Sequence, residues 1–247
     1  MISTKPWGIE AVARLCLAMI ATFCFGGLLA ISVGKLHLGL PEGQTEFIQI
    51  MISLASFQFS ALVWVTIFVR KFGLGWTEAF GFKTSEPVTA VAYGVLGGVL
   101  FLPAAWGLQY LSEFLMVLAH LNPESQAAVQ AMQDPNLSIM NKLIFGAAAV
   151  VFAPIAEETV FRGLLYPAIK QAGFPRLALW GTSVGFAAMH LNAETFLPLM
   201  AFAMVLVYLY EQFGNLLAPI VAHSLFNTVN FLFLLFPEKV EHFFHPL

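Results

Sequence analysis

Charged side chains are scarce in this 247-residue chain: Asp, Glu, Lys and Arg make up 10% of it, and hydrophobic residues make up 59%. An ordinary soluble domain is about one quarter charged. The formal net charge is only −3, so the composition gives no reason to expect a nucleic-acid partner. The balance therefore predicts a membrane protein with membrane lipid as a partner.

Cysteine is also nearly absent. The chain has two cysteines, Cys16 and Cys24, and both fall in its first apolar segment. Two thiols in one apolar helix behave as small hydrophobic residues, and they do not form a disulfide framework. We see no low-complexity linker and no separate soluble part, so we expect a single integral membrane domain over residues 1–247.

Long apolar runs fill the rest of the chain. They predict an all-α polytopic fold with about seven transmembrane helices, or eight, together with short interfacial helices. The aromatic and polar residues of segments 72–86 and 112–136 are typical of interfacial segments. The predicted spans are residues 11–33, 47–69, 88–109 or beyond, 142–170, 176–191, 195–212 and 216–236.

The basic residues indicate an orientation. Cytoplasmic loops of membrane proteins carry an excess of Lys and Arg. With the N-terminus in the cytoplasm, one side collects most of the basic residues, whereas Lys35 and Lys142 lie on the other side. The residues on the cytoplasmic side are Lys5, Arg70, Lys71, Lys83, Lys170 and Arg176.

Three charged residues interrupt the apolar segment 142–170, namely Glu157, Glu158 and Arg162. Each charge at the middle of a membrane helix costs about 2.5–3.5 kcal/mol on insertion scales. Glu158 and Arg162 are four residues apart, so they share one helix face and can form an ion pair. Glu157 is rotated from Glu158 by about 100° and needs another partner. A purely structural Glu–Arg pair is the alternative to a functional site.

Two later spans place polar residues at a similar depth. At 1.5 Å per residue, Glu157 lies about 20 Å and His190 about 21 Å from the predicted cytoplasmic boundary. His223 and Asn227, four apart on one helix face, lie at about 14 and 20 Å. Facing ionisable groups inside a membrane indicate a functional site by default. We therefore expect these four residues in one cavity, open to the cytoplasmic side to admit water and an extended peptide.

A carboxylate with two imidazoles supports two kinds of chemistry. Glu157 and His190 can deprotonate a water, while His223 and Asn227 donate hydrogen bonds to the developing oxyanion. Alternatively, Glu157, His190 and His223 can hold a divalent metal such as zinc, with an open position for water. Both arrangements hydrolyse an amide, and the residues do not decide between them.

Three motifs carry a resemblance to a known family: EExxFR at Glu157 to Arg162, FxxxH at Phe186 to His190, and HxxxN at His223 to Asn227. Together they resemble the CPBP (CAAX-processing and bacteriocin-processing, or ABI) intramembrane proteases, which are related to the type II CAAX prenyl endopeptidases.

The resemblance implies a glutamate-dependent or metal-assisted endopeptidase whose catalytic helices span residues 142–230. It assigns Glu157 as the base, with Glu158 and Arg162 shaping the site. It assigns His190 as the catalytic or ligand partner, and His223 and Asn227 as oxyanion donors or supports. The substrate class it implies is a membrane-associated or prenylated (CAAX-like) protein or peptide, in a prokaryotic cell (inner) membrane.

Two other functions remain as alternatives. A non-enzymatic scaffold or immunity protein would keep the polar cluster to bind a partner. A proton-coupled transporter would use Glu157 and the histidines as a relay, but we find no inverted repeat between the two halves of the chain.

Overall fold

The computed structural model describes residues 4–36, 39–40, 43–83 and 85–236. Within these ranges the chain forms helices and no strands, which confirms the all-α polytopic prediction. The helices are α1 (Ile9–Lys35), α2 (Gln44–Lys71), α3 (Trp76–Ala79), α4 (Pro87–Leu118), α5 (Ala127–Gln133), α6 (Ile139–Gln171), α7 (Pro175–Ala188), α8 (Phe196–Phe213) and α9 (Leu217–Leu235).

Six of these helices are long and apolar enough to cross a membrane: α1, α2, α4, α6, α8 and α9. The predicted fifth span, residues 176–191, is instead the 14-residue α7. A membrane-spanning helix needs about 20 residues, so the predicted count of seven is corrected to six full-length helices and one short one. The physical reason is a turn after α7, where Leu191 has a positive φ of 49° and the Asn192 side chain accepts a hydrogen bond from the Thr195 amide.

Helix α6 is one continuous 33-residue helix with two π-helical segments, Ala148–Phe152 and Thr159–Leu165. A proline is the second residue after each segment, namely Pro154 and Pro167. Proline has no N–H, and its ring collides with the carbonyl four residues back. A wider π turn relieves that collision. Glu157 and Glu158 occupy the α-helical turn Ala153–Glu158 between the two π segments.

Helix α6 lies at the centre of the molecule. Helices α2 and α9 pack against its turn Ala153–Glu158, and α7 and α8 pack against the π segment Thr159–Leu165. Helix α1 pairs with α2, and α4 pairs with α9. The main hydrophobic core runs along α6, where Ala156, Phe161 and Leu164 are buried. This arrangement places the charged turn of α6 at the meeting point of four helices.

The two predicted interfacial segments contain short helices. Helix α3 lies in the segment 72–86, where the buried Phe80 accepts a hydrogen bond through its carbonyl from the Leu216 amide, 3.1 Å away. This bond ties α3 to the start of α9. Helix α5 lies in the segment 112–136, although α4 extends to Leu118 and occupies the first part of that segment.

Candidate active site

Arg162 and Glu158 form a fully buried ion pair. Nη1 of Arg162 donates to Oε1 of Glu158 at 2.9 Å, and Nη2 donates to the Ala203 carbonyl of α8 at 3.0 Å. The side chains are 1% and 0% exposed. The guanidinium also lies over the Phe186 ring, 4.7 Å from its centre. The pair expected from the four-residue spacing is therefore present, and it joins α6 to α7 and α8.

His223 lies between the two glutamates. Its Nδ1 is 2.9 Å from Oε1 of Glu158, and its Nε2 is 3.9 Å from Oε2 of Glu157. Because Glu158 is paired with Arg162, its carboxylate accepts hydrogen bonds, so Nδ1 of His223 is the donor. That assignment directs Nε2 towards Glu157. The partner that Glu157 needed is thus His223, a pairing that the sequence did not indicate.

His190 follows the C-terminal end of α7. Its Nδ1 is 2.9 Å from the Phe186 carbonyl, which can only accept, so Nδ1 carries the proton and Nε2 of the neutral ring is the acceptor. Across the described residues, no hydrogen bond or ion pair joins Glu157 to His190. The expected sharing of one water by these two side chains stays a prediction.

Phe186 is the residue that sequence reasoning undervalued. Its fully buried ring lies 5.2 Å from the His190 ring and 5.6 Å from the His223 ring, and its face carries the Arg162 guanidinium. The signal was the FxxxH spacing, because a residue four before His190 presents its carbonyl to that side chain. Phe186 therefore contacts both imidazole rings and the guanidinium, and it helps to fix their positions relative to one another.

Asn227 is on the same face of α9 as His223 but contacts a different part of α6. Its Nδ2 donates to the Ala149 carbonyl at 2.8 Å, in the first π-helical segment. One of the two N–H groups of the Asn227 amide therefore donates to the protein backbone. This contact could not be predicted from the residue pattern, because Ala149 has no polar side chain.

Burial divides the cluster into a supporting part and an open edge. Glu158, Arg162 and His223 are almost fully buried, whereas the Glu157 side chain is 15% exposed. His190 and Asn227 are also partly exposed. Glu157, His190 and Asn227 therefore form the accessible edge of the cluster, and the buried residues form its support.

The proposed metal-ligand set is not assembled. Among the residues that the structure describes, no group of three or more His, Cys, Asp or Glu side chains is arranged to hold a metal ion. Glu157 and Nε2 of His223 face each other, and the Nδ1 bond to Glu158 leaves Nε2 free, as in a metal-binding histidine. A third His, Cys, Asp or Glu ligand does not join these two among the described residues, so a three-ligand zinc site is not assembled there.

A cleft of about 330 Å³ borders the His190 turn. The small side chains Ala187, Ala188 and Ala193 form much of its wall, with Asn192 and Phe196. These residues flank His190 in the sequence on both sides.

Comparison with known proteins identifies a family for part of the chain. Residues 139–229 match the family model described as type II CAAX prenyl endopeptidase Rce1-like. The matched part contains all six candidate site residues: Glu157, Glu158, Arg162, His190, His223 and Asn227. The resemblance carried by the three motifs is thereby confirmed.

One curated relative is the uncharacterized protein YpbD of Bacillus subtilis (strain 168). It is 31% identical over 101 residues, and the match covers 36% of this chain and 49% of that protein. The match thus spans about half the length of that relative. No solved structure matches the chain significantly.

Proposed function

We propose that this membrane protein, whose residues 139–229 match the type II CAAX prenyl endopeptidases, is an intramembrane endopeptidase. It would hydrolyse peptide bonds of a membrane-associated or prenylated protein or peptide. Residues 142–230 would supply the catalytic helices. One observation carries the proposal: His223 is held by the buried Glu158–Arg162 pair with its free nitrogen directed at the partly exposed Glu157.

The proton inventory supports acid–base chemistry at this pair. With Nδ1–H donated to Glu158, Nε2 of neutral His223 and the Glu157 carboxylate are both acceptors, 3.9 Å apart. The separation is longer than a direct hydrogen bond, so a water would bridge the two acceptors. A proton shared through that water would link Glu157 and His223 as an acid–base pair.

Hydrolysis would proceed by attack of a water on the peptide carbonyl. Glu157 takes one proton from the water as the new C–O bond forms, and Nε2 of His190 accepts the hydrogen bond from the other. His223 donates to the developing oxyanion when Nε2 carries the shared proton. Glu157 then returns its proton to the leaving amine as the C–N bond breaks.

The buried pair would act as the support of this machinery. Glu158 orients the His223 ring, and Arg162 pairs with Glu158 and anchors the pair to α8. This division follows the logic by which a buried carboxylate fixes the tautomer of a catalytic histidine. The cleft beside His190 would receive the peptide.

A non-enzymatic scaffold is the second candidate, and one observation favours it. The Glu158, Arg162 and His223 contacts join α6, α8 and α9, and such a network can serve packing alone. In that case Glu157 would have no chemical task, and its replacement would change nothing that a peptide assay measures.

Glu157→Gln tests the proposal. The change keeps size and hydrogen bonding but removes the base, so turnover should fall by about 10²–10⁴, the usual contribution of a general base. The melting temperature should stay close to that of the wild type, because Glu157 is at the open edge of the cluster. Peptides released from membranes containing each protein, followed by cleavage of an identified peptide in liposomes, give the readout.

Glu113→Gln is the matched control, since Glu113 is a partly buried glutamate of α4 that hydrogen bonds with Gln109. It should cleave like the wild type. Full activity in Glu157→Gln, or no peptide released by the wild type, would remove the peptidase proposal and leave the scaffold.

A further inference from the structure

Pro154 leaves one carbonyl of α6 without its backbone donor. In the π-helical segment before it, the Ala153 amide donates to the Ala148 carbonyl, five residues back. The next bond in this pattern would run from residue 154 to the Ala149 carbonyl, but proline has no N–H. An unpaired carbonyl inside a membrane protein costs several kcal/mol.

Two side-chain amides reach these carbonyls from neighbouring helices. Nδ2 of Asn227 on α9 donates to the Ala149 carbonyl at 2.8 Å, which replaces the missing bond. Nε2 of Gln58 on α2 donates to the adjacent Ala148 carbonyl at 3.5 Å. Gln58 is 4% exposed, so its amide is a buried polar group in a membrane helix.

The location of the two contacts connects them with Glu157. Helices α2 and α9 are the two that pack against the turn Ala153–Glu158. A π turn contains about one residue more than an α turn, and one residue corresponds to about 100° of rotation. If the π turn reverted to α geometry, Glu157 would rotate away from His223 by that angle relative to the first half of α6.

We propose that Asn227 and Gln58 are positioning residues: their amides hold the π turn that Pro154 imposes, and the held turn directs Glu157 towards His223. Asn227 then uses one of its N–H groups to pair the Ala149 carbonyl. The effect on catalysis rests on the proposed peptidase function, whereas the carbonyl pairing does not.

A double-mutant cycle between Pro154 and Asn227 tests the pairing. Asn227→Ala should lower the melting temperature in detergent by about 2–8 °C, because a buried carbonyl loses its donor. In the Pro154→Ala background, residue 154 has an N–H that can pair within the helix, so the same change should cost less than half as much. Asn230→Ala is the matched control, since the Asn230 amide donates to the Phe226 carbonyl of its own helix, and its cost should be equal in both backgrounds.

Equal costs of Asn227→Ala in the two backgrounds would overturn the pairing. So would a melting temperature unchanged by Asn227→Ala together with a fall in kcat, because Asn227 would then act on the reacting carbonyl. The comparison of costs in the two backgrounds comes from melting curves alone and holds even if the wild type releases no peptide, in which case only the peptidase proposal fails.

Gln58→Met tests the positioning role, because methionine keeps the volume and removes the amide. A misplaced base lowers kcat while substrate binding is kept, so kcat should fall about 10–100-fold with KM within about twofold of the wild type. Gln58→His, which keeps an N–H donor, should recover most of the loss. Gln49→Met is the control in the same helix, because the Gln49 amide donates to Ala30 of α1, and it should leave kcat unchanged. A Gln58→Met enzyme with the wild-type kcat would refute the positioning role.

Discussion

Arg162 shows how a single residue can make a charge tolerable inside a membrane. Its guanidinium has three partners within the protein: a carboxylate, a backbone carbonyl and an aromatic face. A buried ion pair contributes little net stability when intact, since desolvation offsets the attraction. Removing one of the two charged side chains is costly, because the remaining charge stays buried without its partner.

Arg162→Ala is therefore expected to destabilise the protein by about 3–5 kcal/mol. The loss should appear in the melting curve, and cleavage should fall with it because Glu158 no longer holds His223. Arg14→Ala is the control, since Arg14 pairs with Glu10 at an exposed site where an ion pair contributes at most about 1 kcal/mol. An Arg162→Ala protein that melts like the wild type but has no activity would contradict this structural role and make Arg162 a chemical participant.

Helix packing decides where His223 and Asn227 can reach. Gly94 and Gly98 of α4 form a GxxxG pattern, and the carbonyls of Ala218 and Ala222 on α9 lie against them. A Cβ at position 94 would be 2.6 Å from the Ala218 oxygen, and one at position 98 would be 3.0 Å from the Ala222 oxygen. Small residues of this kind allow two membrane helices to approach closely.

Gly94→Ala should therefore displace α9, the helix that carries His223. We expect a lower melting temperature and at least a severalfold loss of kcat, because a backbone oxygen cannot move aside as a flexible side chain can. Gly107→Ala in the same helix is the control, since a Cβ there meets nothing within 4 Å. It should be neutral or slightly stabilising, because alanine is the better helix former. Identical behaviour of the two variants would show that the α4–α9 contact does not position the site.

At the scale of the whole molecule, the distribution of basic residues predicts an orientation in the membrane that thiol labelling can test. The basic residues predict that the loop between α6 and α7 is cytoplasmic and that the loop between α4 and α5 is on the opposite side. In a background without Cys16 and Cys24, Ala172→Cys should react with a membrane-impermeant thiol reagent only after the cells are opened. Asn122→Cys should react in intact cells. Both positions are exposed, and the reverse labelling pattern would invert the predicted topology.

Much of the fold could be predicted from the sequence, because a membrane-spanning helix is a continuous run of apolar residues along the chain. The apolar runs located the helices to within a few residues for α1, α2, α6, α8 and α9. The four-residue spacing of Glu158 and Arg162 indicated their ion pair, which depends only on local helix geometry. The three motifs indicated the family that the comparison confirms for residues 139–229.

Tertiary structure decided what those local rules leave free, which is the direction each side chain takes around its helix. A count of residues gave Glu157, His190 and Asn227 one depth, but depth is a single coordinate and does not select partners. The π turns before Pro154 and Pro167 change the rotation along α6, and the packing of α9 then brings His223 to Glu157 and Asn227 to the Ala149 carbonyl. The sequence by itself therefore determined which residues lie in the membrane and at what level, and only the packed helices determined which of them meet.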